Sequence, residues 1–252
     1  PMTNLIKSQN RTALAVDIGG TFTDAVLEAG DDRYTAKVLT TGDPEQGFMA
    51  AAMAVLEQSG LPPASIELII HGTTLATNAL IERKGAKVGL LTTDGFTDSL
   101  EIAYEHRFEQ SDIFMQRPAP LVPRHLRLGV TERLAADGSV LLPLDEISLA
   151  EHAEKLKREN VDAVALAFLH CFANPAHERR AAELLAELLP GVPVSLSSEV
   201  SPEIREYDRI STTVANAYVL PLISGYLERL RVDLSTTGVE APLLLMMSSG
   251  GM

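Results

Sequence analysis

An α/β fold with a mostly parallel sheet, opened by an N-terminal β-hairpin, is the architecture that this 252-residue sequence predicts. Three observations carry the prediction. A buried-strand run, Ala13-Leu14-Ala15-Val16-Asp17-Ile18, is broken by Gly19-Gly20 and followed by two further strand-like runs, Phe22 to Glu28 and Tyr34 to Leu39. Downstream, helical and strand segments alternate, the order that lays strands parallel with helices across them. Ile66 to Ile70 brings adjacent β-branched residues together, the pattern of a strand buried on both faces.

Each element follows from local chemistry. Two strands joined by a tight glycine turn make a hairpin. Pro44 suits a first helical turn, and the Ala- and Met-rich run from Gln46 to Gln58 is a helix stopped near Gly60. After Ile66–Ile70, Thr73 to Lys84 reads as a helix ended by Gly85, and Lys87 to Thr92 as a strand. Pro118, Pro120 and Pro123 rule out a long helix between Phe96 and Pro123. Leu126–Leu134 and Ser139–Leu142, joined at Asp137-Gly138, predict a second hairpin. Helix (Leu144–Glu159), strand (Ala163–Leu169), helix (Pro175–Leu189) and strand (Val192–Leu196) follow. Glu203 to Leu230 is helical and expected to kink or split at Pro221, and Leu243 to Met247 is a last strand.

Composition narrows function. The 34 acidic and 21 basic residues give a net charge of −13. A surface that acidic repels nucleic-acid phosphates and anionic lipid, so neither nucleic acid nor membrane is expected as a partner. No apolar run approaches the roughly 20 residues of a bilayer span. Cys171 is the single cysteine. An internal disulfide is therefore impossible, and a cytoplasmic location is the expectation.

The first motif is Asp17-Ile18-Gly19-Gly20-Thr21-Phe22-Thr23-Asp24. A Walker-type loop would need Lys-Ser/Thr after the glycines, which is absent. A dinucleotide fingerprint would open a helix, whereas Thr21 to Glu28 reads as strand. The pattern resembles the phosphate hairpin of the actin, sugar-kinase and Hsp70 group, which implies a ribonuclease H-like ATPase lobe. Its chemistry suits ATP with Mg²⁺. Gly19 and Gly20 lack a Cβ and let backbone amides approach phosphate oxygens. Thr21 and Thr23 add hydroxyl donors, and Asp24 completes the pattern. Asp17 can hold a water of hydrated Mg²⁺. The plain alternative is a hairpin turn with a capping Asp and no ligand.

The second motif is His71-Gly72-Thr73-Thr74-Leu75-Ala76-Thr77-Asn78-Ala79-Leu80-Ile81-Glu82-Arg83-Lys84-Gly85. With the first, it resembles the ATP-dependent hydantoinase, oxoprolinase and acetone carboxylase family. Leu91-Thr92-Thr93-Asp94-Gly95-Phe96, Asn174-Pro175-x-His177-Glu178, Ser198-Glu199-x-x-Pro202-Glu203-x-Arg205-Glu206-Tyr207-x-Arg209 and Ser248-Ser249-Gly250-Gly251 also match. The resemblance implies an enzyme that uses ATP to phosphorylate an amide or enolate oxygen before hydrolysis or carboxylation. It implies catalytic roles for Asp17, His71, Thr73 and Thr74, with His71 positioning or transferring a proton. It further implies nucleotide contacts from Ser249, Gly250 and Gly251. Capping of the following helix is the structural alternative for Thr73 or Thr74, and a satisfied core histidine for His71. Residues 1–195 correspond to the family's N-terminal region and 196–252 to the start of its next domain. Hydantoin- and oxoproline-cleaving members typically carry Gly-Arg-Gln after the Glu-Ile here numbered Glu101-Ile102. This chain has Ala103-Tyr104-Glu105, then His106-Arg107. The departure falls in a segment expected to face substrate. It weakens the expectation of a hydantoin or oxoproline substrate and leaves room for another lactam or a ketone.

Other signals read as structural. His170, Cys171 and His177 lack the second ligand pair of a zinc site. Asn174 with Pro175 reads as a helix start. Glu203, Arg205, Glu206, Asp208 and Arg209 read as the wet face of a helix, with packing at a subunit contact as the alternative for Arg205 or Arg209. No second Asp-x-Gly-Gly-Thr turn or adenosine-binding segment is found, so the chain is expected to be part of a larger protein. Its partner would be a hydantoinase B-type subunit or domain. Four functions compete: cyclic-amide hydrolase, ATP-handling subunit of a ketone carboxylase, small-molecule kinase, and non-enzymatic nucleotide sensor.

Overall fold

The structure is a computed structural model that describes residues 11–104, 111–115 and 117–246. In chain order it runs through β1 (Thr12–Ile18), β2 (Phe22–Ala29), β3 (Asp32–Leu39), α1 (Pro44–Ser59), β4 (Leu68–Thr73) and α2 (Leu75–Ile81). Next come β5 (Val88–Thr93), α3 (Ser99–Ile102), β6 (Arg127–Val130), β7 (Arg133–Leu134), β8 (Val140–Leu142) and α4 (Glu146–Arg158). The chain continues through β9 (Ala163–Ala167), α5 (Ala176–Leu188), β10 (Val194–Leu196), α6 (Ser197–Val200), α7 (Glu206–Thr236) and β11 (Leu243–Leu245). Two compact units result: the residues up to Asn78 with those from Ile223 onward, and Ala79–Leu222.

In the first unit the sheet order is β11-β4-β1-β2-β3. β1 runs parallel to β4, and β4 to β11, while β1, β2 and β3 pair antiparallel. This is the ribonuclease H-like arrangement expected of an ATPase lobe of the actin and sugar-kinase type. Alternation sorts β1 between its faces. Leu14, Val16 and Ile18 are buried with Phe48, Ala51 and Val55 of α1, whereas Asp17 is exposed. α1 starts at Pro44, as expected. It ends at Gly60, which takes the left-handed conformation (φ 68°) and returns its N–H to the Leu56 carbonyl.

In the second unit, β10-β9-β5-β6 form a wholly parallel sheet. Every residue of β5 and β9 is buried. Leu149 and Leu156 of α4, Leu185 of α5 and Val214 of α7 complete this core.

Four boundaries differ from expectation. β4 is shifted toward the second motif, so that His71 and Gly72 extend the strand, Thr73 is strand rather than helix, and α2 is only seven residues long. The Leu126–Leu134 run divides: Arg127–Val130 joins the parallel sheet beside β5, and only Arg133-Leu134 pairs with β8. A buried sheet edge captured the apolar half of that run. α7 runs unbroken through Pro221. The last strand stops at Leu245. Among the described residues, no helix is long and apolar enough to cross a membrane.

Candidate functional site

The glycine turn is closed from within. The Gly19 N–H donates to the Phe22 carbonyl (3.0 Å), and the Thr40 N–H to the Thr21 carbonyl (2.9 Å). Thr40 Oγ1 donates to the Gly19 carbonyl (2.9 Å). Because that uses the Thr40 proton, Thr23 must donate in the 3.1 Å contact between the two hydroxyls. Two expectations change. The Gly19 amide is consumed by the turn, and fully buried Thr23 braces it from below instead of offering a hydroxyl outward. The amides of Gly20 and Thr21 have no hydrogen-bond partner among the described residues, and both residues are exposed. Nothing lies within 4 Å of where a Gly20 Cβ would stand. These two amides form the open donor pair.

Asp17 and Asp24 face each other across the β1–β2 ladder, and Lys37 stands opposite Asp24 on β3. Lys37 Nζ contacts both Asp24 carboxylate oxygens, at 2.8 and 2.9 Å. Asp24 is thereby charge-balanced by protein, whereas Asp17 has no ion-pair partner among the described residues. On its other side, Asp17 is in register with Gly72. A Cβ on Gly72 would stand 2.7 Å from Asp17 Oδ1, so the carboxylate rests on bare backbone. An exposed, unbalanced carboxylate beside free amides suits a hydrated cation with an anionic ligand.

The first and second motifs meet where the carboxyl ends of parallel β1 and β4 lie side by side, with Ile18 opposite Thr73. Thr73 Oγ1 accepts the Leu75 N–H (3.2 Å), which makes it a cap for the start of α2. Thr74 is exposed, and its N–H reaches the Ile18 carbonyl at 3.4 Å. Its hydroxyl accepts the Asn78 side-chain amide at 3.3 Å. Thr74 is thus the threonine presented beside the turn.

His71 points to the opposite face. It is fully buried between Phe48 and Tyr226, with ring centroids 5.1 and 5.7 Å away. Its Nδ1 lies 3.0 Å from the Val16 carbonyl, which can only accept, so Nδ1 carries the proton. Nε2 then accepts the Tyr226 hydroxyl at 2.7 Å. Burial pushes the imidazole below its ordinary pKa, against the opposing pull of the Val16 hydrogen bond and the Asp17 charge. A neutral ring with both nitrogens engaged cannot shuttle protons on the Asp17 face. The expected proton-transfer role is therefore withdrawn, and a positioning role is left. Sequence reasoning missed both Thr40 and Tyr226.

β11 lies alongside β4, with Leu245 opposite His71, and the Met246 N–H donates to the His71 carbonyl at 2.8 Å. Ser249, Gly250 and Gly251 lie outside the described residues, as do Glu105, His106 and Arg107.

The second unit resolves the other signals. Arg209 is not a wet-face residue: it is fully buried, and its guanidinium donates to the Glu203 and Phe168 carbonyls. Across the Phe168 peptide lies fully buried Glu178, which accepts from the Phe168 N–H (2.9 Å), Ser197 Oγ (2.7 Å) and the Ser198 N–H (2.9 Å). Burial, then the Glu178 charge, pushes the Cys171 thiol up to about 12. His177 is oriented by Glu132 (2.8 Å). Among the described residues, no group of three or more His, Cys, Asp or Glu is placed to hold a metal. Ala103 and Tyr104, from the divergent segment, line a cavity of about 540 Å³ with Leu100, Arg117, Tyr207 and Val214. Ala103 adopts a left-handed φ of 51° there, a strain that non-glycine residues hold only where the surroundings enforce it.

The chain is 39% identical over 253 residues to caprolactamase subunit alpha of Pseudomonas jessenii, covering 97% of this chain and 36% of that one. It is 34% identical to the acetophenone carboxylase gamma subunit of Aromatoleum aromaticum, covering 99% of this chain and 37% of the relative. The crystal structure of ATP-dependent caprolactamase from Pseudomonas jessenii superposes with a TM-score of 0.87 at 38% identity, over 95% of this chain and 36% of that one. The chain thus spans about a third of the length of these relatives. The model of the hydantoinase/oxoprolinase N-terminal region matches residues 13–189, and that of hydantoinase/oxoprolinase matches 209–252, so this chain belongs to the hydantoinase/oxoprolinase family.

Proposed function

We propose that this chain is the nucleotide-gripping part of an ATP-dependent cyclic-amide hydrolase that phosphorylates its substrate to activate ring opening. The observation that carries the proposal is the unbalanced Asp17 carboxylate beside the free amides of Gly20 and Thr21. Those amides would receive phosphate oxygens, with the Thr74 hydroxyl beside them, and Asp17 would hold a water of hydrated Mg²⁺. Bound there, Mg²⁺ would neutralise charge on the phosphates. The protein's own task is positioning: phosphorylating a carbonyl oxygen turns a poor leaving group into a good one, and little covalent chemistry falls to side chains. Thr23 and Thr40 hold the turn, Thr73 caps the adjoining helix, and Asp24 with Lys37 leaves Asp17 as the available charge.

Within the second unit, the segment around Ala103 and Tyr104, where the sequence departs from hydantoin- and oxoproline-cleaving members, would bear on substrate choice. A hydantoinase B-type subunit or domain would complete hydrolysis, in the cytoplasm. The similarity to an acetophenone carboxylase subunit favours one second reading, the ATP-handling subunit of a ketone carboxylase. Phosphate release from the intact protein, measured with a panel of lactams and with ketones plus bicarbonate, separates the two. Lactam-dependent release supports the first, bicarbonate-dependent release the second, and release with neither overturns both in favour of a nucleotide sensor.

A further inference from the structure

The mechanism above uses the Asp17 face of the first unit's sheet and leaves unexplained a polar pair sealed under its other face. Tyr226 is only 1% exposed and sits among aliphatic and aromatic neighbours of the first unit's core. Its hydroxyl has one partner among the described residues, His71 Nε2 at 2.7 Å. The ring passes that bond on, since Nδ1–H donates to the Val16 carbonyl at 3.0 Å. Val16 immediately precedes Asp17, and His71 immediately precedes Gly72.

Asp17 and Gly72 are paired in register, and a Cβ on Gly72 would stand 2.7 Å from Asp17 Oδ1. The carboxylate therefore lies close over the β4 backbone. A small rotation of β4 against β1 would move it. The parallel β1–β4 ladder already holds the two backbones in register. A hydrogen-bonded bridge from α7 through an imidazole into the β1 backbone is directional. The main chain of His71 adds a third strand at the same level by accepting the Met246 N–H at 2.8 Å.

We infer that Tyr226 is a positioning residue of the nucleotide site, acting through His71 to fix the end of β4 against the end of β1 so that the Asp17 carboxylate stays seated over Gly72. The inference rests on the nucleotide reading given above. Its chemistry is specific. Phenylalanine would fill nearly the same volume as Tyr226, so a role in packing alone predicts that Tyr226→Phe is silent. A role in orientation predicts a loosened Asp17, because Nε2 becomes a buried acceptor without a donor.

The test combines kinetics and spectroscopy on the intact protein. Tyr226→Phe should raise KM for ATP about threefold to tenfold, the loss of one net hydrogen bond, and leave kcat at saturating ATP within about twofold. His71→Asn, whose side-chain amide can still donate where Nδ1–H stands, should keep more ATP affinity than His71→Leu. In the unmodified protein labelled with ¹⁵N-histidine, the His71 nitrogen signals should report the Nδ1–H tautomer and shift when a non-hydrolysable ATP analogue with Mg²⁺ is added. A ring serving only packing would not respond. Asp17→Asn is the control for the underlying reading. If Asp17→Asn still binds the analogue normally, the nucleotide reading falls, and this inference with it. If Asp17→Asn loses binding while Tyr226→Phe keeps wild-type KM and the His71 signals ignore nucleotide, the positioning role alone is overturned. Should Tyr226→Phe fail to fold, the nitrogen signals of the unmodified protein decide.

Discussion

Gly72 lies directly beneath Asp17: any side chain at that position would begin 2.7 Å from the Asp17 Oδ1 atom. The clash would be with the mobile end of a side chain rather than with backbone. Gly72→Ala is therefore expected to fold normally and to displace the carboxylate instead. We predict a melting temperature close to that of the parent and ATP consumption lowered by about a hundredfold, the scale of a 1 Å misplacement at a reacting centre. Thermal denaturation beside a phosphate-release assay checks both halves.

Much of this site was legible in the sequence because its elements are local. Asp17, Gly19, Gly20 and Thr21 fall within five residues, and a strand broken by two glycines dictates a turn whatever surrounds it. What escaped was decided by tertiary placement. The alternation of β4 puts Gly72 on one face and His71 on the other, but a strand ending at Ile70 leaves both outside it, and Ile66–Ile70 alone does not place its end. Thr40 belongs to the site only because β3 returns to the turn, and Tyr226 lies 155 residues from its partner His71. Arg209 was misjudged because a helix of alternating charges looks solvated until the carbonyls that receive its guanidinium are known. The Leu126–Leu134 run was split by competition between a hairpin and the open edge of a buried parallel sheet, which its pattern does not reveal.

The buried Arg209–Glu178 network supports a stability prediction. Both are fully buried and both bond to Phe168, Glu178 through its N–H and Arg209 through its carbonyl. Arg209→Leu leaves the Glu203 and Phe168 carbonyls without their guanidinium donor and should destabilise the protein by about 1–3 kcal/mol. The effect of adding Glu178→Gln should not be additive with that loss, since the two changes share a network. Denaturant melts of the single and double variants measure the coupling.

Acid should weaken the first unit through His71. Its folded pKa lies below the ordinary value of 6.5 because burial disfavours the charged ring. The sign follows: the stability is present above the unfolded pKa and is lost as pH falls below it, because the unfolded chain then binds the proton more readily. Melting temperature should decline below about pH 6.5, and His71→Asn should flatten that decline. A parallel, undiminished decline in the variant would assign it to other groups.

Cys171 should be inert in the folded protein. Its thiol is pushed from 9.0 up to about 12 by burial and by the Glu178 charge, so almost no thiolate exists near neutrality. Stability from the neutral thiol is present below the unfolded pKa and is lost as pH rises from about 9 toward 12. Iodoacetamide at pH 8 should leave the native protein unmodified and label it stoichiometrically in denaturant. Rapid labelling of the native state would contradict the packed role.

The central claim is that the turn after β1 grips magnesium-bound ATP through Asp17 and the amides of Gly20 and Thr21. ATP consumption by the intact protein carrying Asp17→Asn tests it most directly, with thermal melting to verify the fold. The account predicts a well-folded variant whose ATP turnover drops by at least about a hundredfold. Turnover equal to that of the parent would contradict it.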